Sequence, residues 1–258
     1  MSIARLRCIV LTTAFIGFCT MSAADVHAQN ATYHHVHMTA ADPAAAIDWY
    51  LKHMGGERTK VAVFDAVDYG GVMLLFFKGK SGFEGSVGSV TDHIGFSFAD
   101  IEAKMKELDE RGVEIVSGIE QEGPIKYAFV KDPWGTLIEV VEDPDLLGFH
   151  HVHLATTDPQ ESLEWYAKTF GGEITRYIDR IPAIRYGNVW LLAKKVKEQP
   201  EPTKGRAIDH LSWAFEDLDA AASRLKANGV KFDFGSGKIA FINSPEGVRI
   251  ELVGPATE

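Results

Sequence analysis

A histidine-rich stretch that occurs twice constrains this chain more than any other feature. Tyr33-His-His-Val-His-Met38 returns as Phe149-His-His-Val-His-Leu154. The register holds well past the histidines, because Asp42-Pro43, Trp49-Tyr50, Lys52 and Gly55-Gly56-Glu57 match Asp158-Pro159, Trp165-Tyr166, Lys168 and Gly171-Gly172-Glu173. The offset is the same throughout, from His35 to His151 and from Glu57 to Glu173. Repetition on this scale means one structural unit used more than once. A chain of 258 residues also suits two domains. The repeat places them at residues 30–145 and 146–258.

Within each copy the pattern repeats once more. A strand over 32–38 precedes a helix capped by Asp42, with Pro43 at its first position. Ile47, Tyr50, Leu51 and Met54 supply the apolar stripe, and Gly55-Gly56 ends the helix. Strands are expected over 58–64, near 66–69 and over 72–77. Asp92-His93-Ile94 opens a second unit, with a helix capped by Asp100 and strands near 113–117, 126–131 and 137–141. The second copy follows suit, with caps at Asp158 and Asp217 and its last unit opening at Asp209-His210-Leu211. The fold class is therefore α+β, four βαβββ units in two pairs. Paired units close around a shared cleft while their helices cover the outside.

The N-terminus reads as an export signal over residues 1–28. Arg5 and Arg7 precede an apolar run from Cys8 to about Met21, and Val26-His27-Ala28 suits cleavage before Gln29. The run is short for a membrane anchor, so a periplasmic or secreted protein is expected, with no membrane attachment after cleavage. Losing Arg5, Arg7 and Asp25 takes the formal charge from −10 to −11. An acidic chain is a poor ligand for nucleic acid or an anionic membrane. Both cysteines, Cys8 and Cys19, lie in the signal. That excludes disulfides, a thiol nucleophile and a cysteine-ligated zinc site from the mature chain.

The chemistry-bearing residues gather on the strands that open the units. Eight histidines lie there: His34, His35, His37, His93, His150, His151, His153 and His210. Side chains alternate along a strand, so His35 and His37 share one face, as do His151 and His153. His34 and His150 take the other face and read as structural. Each copy also ends on an apolar strand carrying one carboxylate, Glu139 and Glu251. A lone buried carboxylate is costly unless a charge compensates it. Two imidazoles and one carboxylate bind a divalent metal and leave positions open for substrate.

These residues resemble the vicinal oxygen chelate superfamily, which includes glyoxalase I, extradiol dioxygenases and bleomycin-binding proteins. The resemblance rests on the His-Val/Ile/Leu openings, the capped Trp-Tyr helices and the x-Pro-x-Gly-x-x-x-Glu strands, and it covers essentially the whole mature chain. It implies two tandem glyoxalase/bleomycin-resistance-type domains. It also implies metal ligands His35, His93 and Glu139 in the first half, and His151, His210 and Glu251 in the second. The implied cofactor is a divalent ion of Fe, Mn, Zn or Ni, and the implied substrate is a small oxygenated molecule.

Two departures shape the expected chemistry. The glutamate that closes the first unit in glyoxalase I-like sites has no counterpart in Val72-Met-Leu-Leu-Phe-Phe77 or Val189-Trp-Leu-Leu-Ala193. Phe129 and Phe241 stand where extradiol dioxygenases carry a tyrosine. Glyoxalase-like isomerase or lyase chemistry is therefore favoured. A non-haem iron dioxygenase and a non-catalytic periplasmic binder are the alternatives. His37 and His153 are the candidate general acid/base groups, or hydrogen-bond partners of the glutamate or substrate. On a straight strand each would lie about 7 Å beyond its neighbouring ligand.

Overall fold

The computed structural model describes residues 31–236 and 238–255, so the expected export signal lies outside the described residues. Four units follow one another. The first comprises β1 (Thr32–Ala40), α1 (Pro43–Met54), β2 (Glu57–Val61), β3 (Phe64–Asp68) and β4 (Met73–Lys78). The second comprises β5 (Thr91–Ser97), α2 (Ile101–Glu110), β6 (Glu114–Ile115), β7 (Glu120–Glu122), β8 (Ile125–Lys131) and β9 (Leu137–Glu142). The third comprises β10 (Gly148–Thr156), α3 (Pro159–Phe170), β11 (Ile174–Tyr177), β12 (Ile181–Tyr186) and β13 (Val189–Lys195). The fourth comprises β14 (Ile208–Ala214), α4 (Leu218–Ala227), β15 (Phe232–Ser236), β16 (Ile239–Asn243) and β17 (Arg249–Val253).

Local chemistry sets the helix boundaries as expected. The side chains of Asp42, Asp100, Asp158 and Asp217 each accept a hydrogen bond from a backbone N–H of the first turn. Pro43 and Pro159 occupy positions whose N–H has no helical partner to lose. Two strand expectations change. The run over 58–64 is broken by a hairpin turn at Ala62-Val63, where Ala62 has φ 52 and Val61 pairs with Phe64. The short strand β7 was not expected, because its exposed residues Glu120, Gln121 and Glu122 carry no apolar alternation to read.

The pairing of units differs from the expected one. The strand order β15-β16-β17-β14-β1-β4-β3-β2 joins the fourth unit to the first. The order β11-β12-β13-β10-β5-β9-β8-β6 joins the third to the second, with β7 on β8. The central seams are antiparallel, β1 on β14 and β10 on β5. Each sheet therefore draws one unit from either half of the sequence. The long connectors, residues 79–90 and 196–207, clasp one another beside these seams. Val90 N donates to Glu201 O at 2.9 Å, Glu201 N to Gly88 O at 3.0 Å and Ala207 N to Glu84 O at 2.8 Å.

Side-chain packing, by contrast, ties the units of one half together. In the first half Tyr50 packs on Phe76 and Phe96 and donates its hydroxyl to the buried Asp132 at 2.9 Å. In the second, Trp213 stacks on Phe170 at 4.2 Å and meets Tyr166 and Tyr186. Hydrogen-bonded sheets thus cross between halves that are each internally packed. One hydrophobic core runs through all four units.

Candidate metal centres

Each central seam carries one cluster. In the first, His35 Nε2 and His210 Nε2 both lie 3.0 Å from Glu251 Oε2, and His37 Nδ1 lies 3.2 Å from His210 Nε2. In the second, His93 Nε2 is 2.8 Å and His151 Nε2 3.1 Å from Glu139 Oε2, and His153 Nδ1 is 3.0 Å from His93 Nε2. In each cluster the donor atoms of all four residues fall within 4.8 Å of one another.

The sequence therefore singled out the residues that converge but grouped them wrongly. His35 does not join His93 and Glu139, and His151 does not join His210 and Glu251. The first cluster holds His35 with His210 and Glu251, and the second holds His151 with His93 and Glu139. The cause is the exchanged sheet. The neighbour of β1 is β14, where His37 sits opposite His210, and the neighbour of β10 is β5, where His153 sits opposite His93. His37 and His153 also lie nearer the clusters than straight strands would place them. Their rings come within 4.6 Å of the His210 and His93 rings, centroid to centroid.

Irregularities in the seams explain a second group of residues that strand alternation misplaced. The β1/β14 register steps from Tyr33 to His35 opposite successive residues of β14, and it skips Asp209 between His37 and Met38. The β10/β5 register does the same at His150 and Asp92. A bulge of this kind turns two consecutive side chains toward one site. His34 Nδ1 thus reaches His35 Nδ1 at 2.7 Å, and His150 Nδ1 reaches His151 Nδ1 at 2.8 Å. Asp209 Oδ1 accepts from His210 Nδ1 at 2.6 Å, and Asp92 Oδ2 accepts from His93 Nδ1 at 2.8 Å. These aspartates are themselves held, Asp209 by Arg249 and the Gly205 N–H, and Asp92 by Lys194. The repeated Asp-His dipeptide was the available sequence signal for them. Among the described residues, only the second cluster adds a further carboxylate, Asp143, which accepts from His150 Nε2 and from the Tyr177 hydroxyl.

In each cluster one imidazole stands between two carboxylates, His210 between Asp209 and Glu251 and His93 between Asp92 and Glu139. A proton or a metal cation must lie between each Nε2 and its glutamate oxygen. Burial disfavours charge on His93, but hydrogen bonds donated to Asp92 and Glu139 more than offset it and raise its pKa. Burial also opposes ionisation of Glu139 and Glu251, yet the neighbouring imidazoles hold both well below the usual carboxylate range. Burial pushes His35 and His151 down to about 4 and His37 to about 3, so at neutral pH these imidazoles keep a lone pair for ligation. The Nε2 atoms of His37 and His153 are buried with no hydrogen-bond partner among the described residues. Imidazoles gathered round an ionised carboxylate, with His93 and His210 each braced by an aspartate on the far ring nitrogen, are a donor set that fits a divalent transition metal.

Aromatic side chains wall both clusters. Phe241 lies 5.3 Å from the His210 ring and Phe129 5.2 Å from the His93 ring, while Phe77 and Phe64 flank His37. The two positions singled out for a missing phenol therefore lie directly against candidate ligands.

A fold of paired βαβββ units with histidine–glutamate clusters on its sheet seams defines the class of this protein. The profile of the Glyoxalase/Bleomycin resistance protein/Dioxygenase superfamily matches residues 32–140 and 148–252, and the chain belongs to that superfamily. A lactoylglutathione lyase from Pseudomonas aeruginosa is 25% identical over 143 residues, an alignment covering 41% of this chain and 81% of the relative. Among solved structures, a V278E mutant of glyoxalase I from Zea mays superposes with a TM-score of 0.71 at 19% identity, over 90% of this chain and 95% of that one. A protein from Bacillus subtilis provisionally classed as a dioxygenase gives 0.67 at 16% identity, over 89% and 87%. These likenesses establish the fold.

Proposed function

We propose that this protein is a metal-dependent enzyme in which each cluster holds one divalent ion and binds a small substrate through two neighbouring oxygens. The observation that carries this reading is the pair of Asp–His–Glu arrays, Asp209–His210–Glu251 and Asp92–His93–Glu139, with a second histidine, His35 or His151, on the same glutamate oxygen in each seam. His35, His210 and Glu251 would hold one ion, and His151, His93 and Glu139 the other. A bound divalent ion supplies Lewis acidity, stabilising negative charge on a substrate oxygen. The chain's own contribution is orientation and exclusion of water. Asp209 and Asp92 fix the proton on the far nitrogen of their histidines, which settles the ring orientation. Phe241, Phe129 and Phe77 keep the surroundings apolar, which strengthens electrostatic interactions inside the cleft.

Glyoxalase-like isomerase or lyase chemistry is the favoured reaction class, because phenylalanine rings rather than phenols stand against His93 and His210. Metal analysis of the full-length protein as purified, together with oxygen uptake over a panel of small vicinally oxygenated compounds, tests the reading. Two equivalents of metal and turnover without oxygen uptake are expected. Oxygen consumption would make the protein a dioxygenase, and ligand binding unaffected by chelators would make it a non-catalytic binder.

We also propose export, on the basic start, apolar run and Val26-His27-Ala28 of the sequence. Mass spectrometry of the extracytoplasmic fraction should find a chain starting at or near Gln29. An intact Met1 form confined to the cytoplasm would sink that proposal.

A further inference from the structure

We infer that His37 and His153 are themselves metal ligands, which makes each centre a set of three histidines and one glutamate. The inference rests on the metal-dependent reading above and goes beyond it. Its basis is geometry that occurs twice, in two separately encoded seams.

Ligand atoms about 2.0–2.2 Å from a metal ion stand about 2.8–3.6 Å from their neighbours in octahedral or tetrahedral arrangements. The first centre shows contacts of 3.0, 3.0 and 3.2 Å linking His35 Nε2, Glu251 Oε2, His210 Nε2 and His37 Nδ1 in sequence. The second shows 3.1, 2.8 and 3.0 Å linking His151 Nε2, Glu139 Oε2, His93 Nε2 and His153 Nδ1. In both, the added histidine meets the ligand nitrogen that already faces the carboxylate, rather than standing off at the reach of a bound substrate. His37 and His153 are 9% and 8% exposed. Neither is paired on both ring nitrogens among the described residues, where each Nε2 is buried and unpartnered.

In each centre four donor atoms converge within 4.8 Å of one another, and a divalent ion among them would engage all four at once.

The test uses full-length protein stripped with a chelator and titrated with Co(II). Bound equivalents are counted by mass spectrometry of the metal, and the visible Co(II) bands report coordination number and geometry. His37→Ala should weaken one of two equivalents by more than the ~10–100-fold that loss of an outer hydrogen-bond partner costs, and alter the bands of that centre. His153→Ala should do the same to the other equivalent, and the double variant should affect both. The untouched equivalent in each single variant reports that the chain is folded. His37→Gln, which keeps a polar side chain but no imidazole, should match His37→Ala. Wild-type affinity at both centres with unchanged bands in the double variant would overturn the inference and return both histidines to an acid/base role. Wild-type protein that binds no Co(II) would overturn the metal reading itself.

Discussion

Replacing His35 by Ala and Glu139 by Gln in one chain is expected to remove both metal equivalents. Replacing His35 by Ala and Glu251 by Gln should remove only one. The sheet order produces this contrast. His35 and Glu251 serve one centre through β1, β14 and β17, whereas Glu139 serves the other through β9, beside β5. Each substitution deletes a donor that a divalent ion needs. Gln in place of Glu also removes the anion that favours a cation in a buried setting. Had the centres formed within the sequence halves, the outcome would be reversed. His35→Ala with Glu139→Gln would then spare one equivalent, and His35→Ala with Glu251→Gln would spare none. Metal stoichiometry on the two double variants, with circular dichroism to confirm folding, separates the alternatives. Two equivalents lost from the His35/Glu251 pair and one from the His35/Glu139 pair would contradict the exchanged arrangement.

Gly95→Ala should silence one centre without touching the other. Gly95 faces His151 across the β5/β10 seam. A Cβ built there would fall 2.1 Å from His151 Cε1 and 2.3 Å from its Nδ1, inside the ring's own contact radius. The ring has nowhere to retreat. It is 1% exposed, paired to His150 through Nδ1 and bounded by the His93 and His153 rings. Moving it breaks the approach of Nε2 to Glu139, and overpacking of this sort typically costs about 1–3 kcal/mol of stability as well. The equivalent place opposite His35 is Ser212, which already carries a side chain. Metal content of Gly95→Ala should therefore fall from two equivalents to one, with the melting temperature lowered. Ser212→Gly should keep both. A Gly95→Ala protein that retains two equivalents would show that His151 is not fixed where the structure places it.

Much of this arrangement is legible in the sequence alone, and the illegible part has definable causes. The constant offset from His35 to His151 revealed the repeat. Asp42, Asp100, Asp158 and Asp217 revealed where helices begin, because capping is decided within a few residues. The identity of the converging histidines and glutamates was likewise local. Which unit pairs with which was not. Asp92-His93-Ile94-Gly95 and Asp209-His210-Leu211-Ser212 are equally suitable neighbours for β1, so no local preference chooses between them. The choice lies in long-range pairing and in the mutual clasp of the connectors at Val90, Glu201 and Ala207. The roles of His34, His150, Asp92 and Asp209 were missed for a different reason. Alternation assumes a regular ladder, and at these positions the ladder skips a residue.

The exchange of units between sheets has a consequence for how the centres respond to dilution. Each takes two residues from the first half of the sequence and two from the second: His35 and His37 with His210 and Glu251, and His93 and Glu139 with His151 and His153. Were the halves separate molecules, every centre would depend on their association, and scarcity would dismantle it. The five residues between β9 and β10 make that encounter intramolecular, with an effective concentration fixed by the tether rather than by abundance. Metal binding should therefore be independent of protein concentration down to the nanomolar range, as a property of one folded chain.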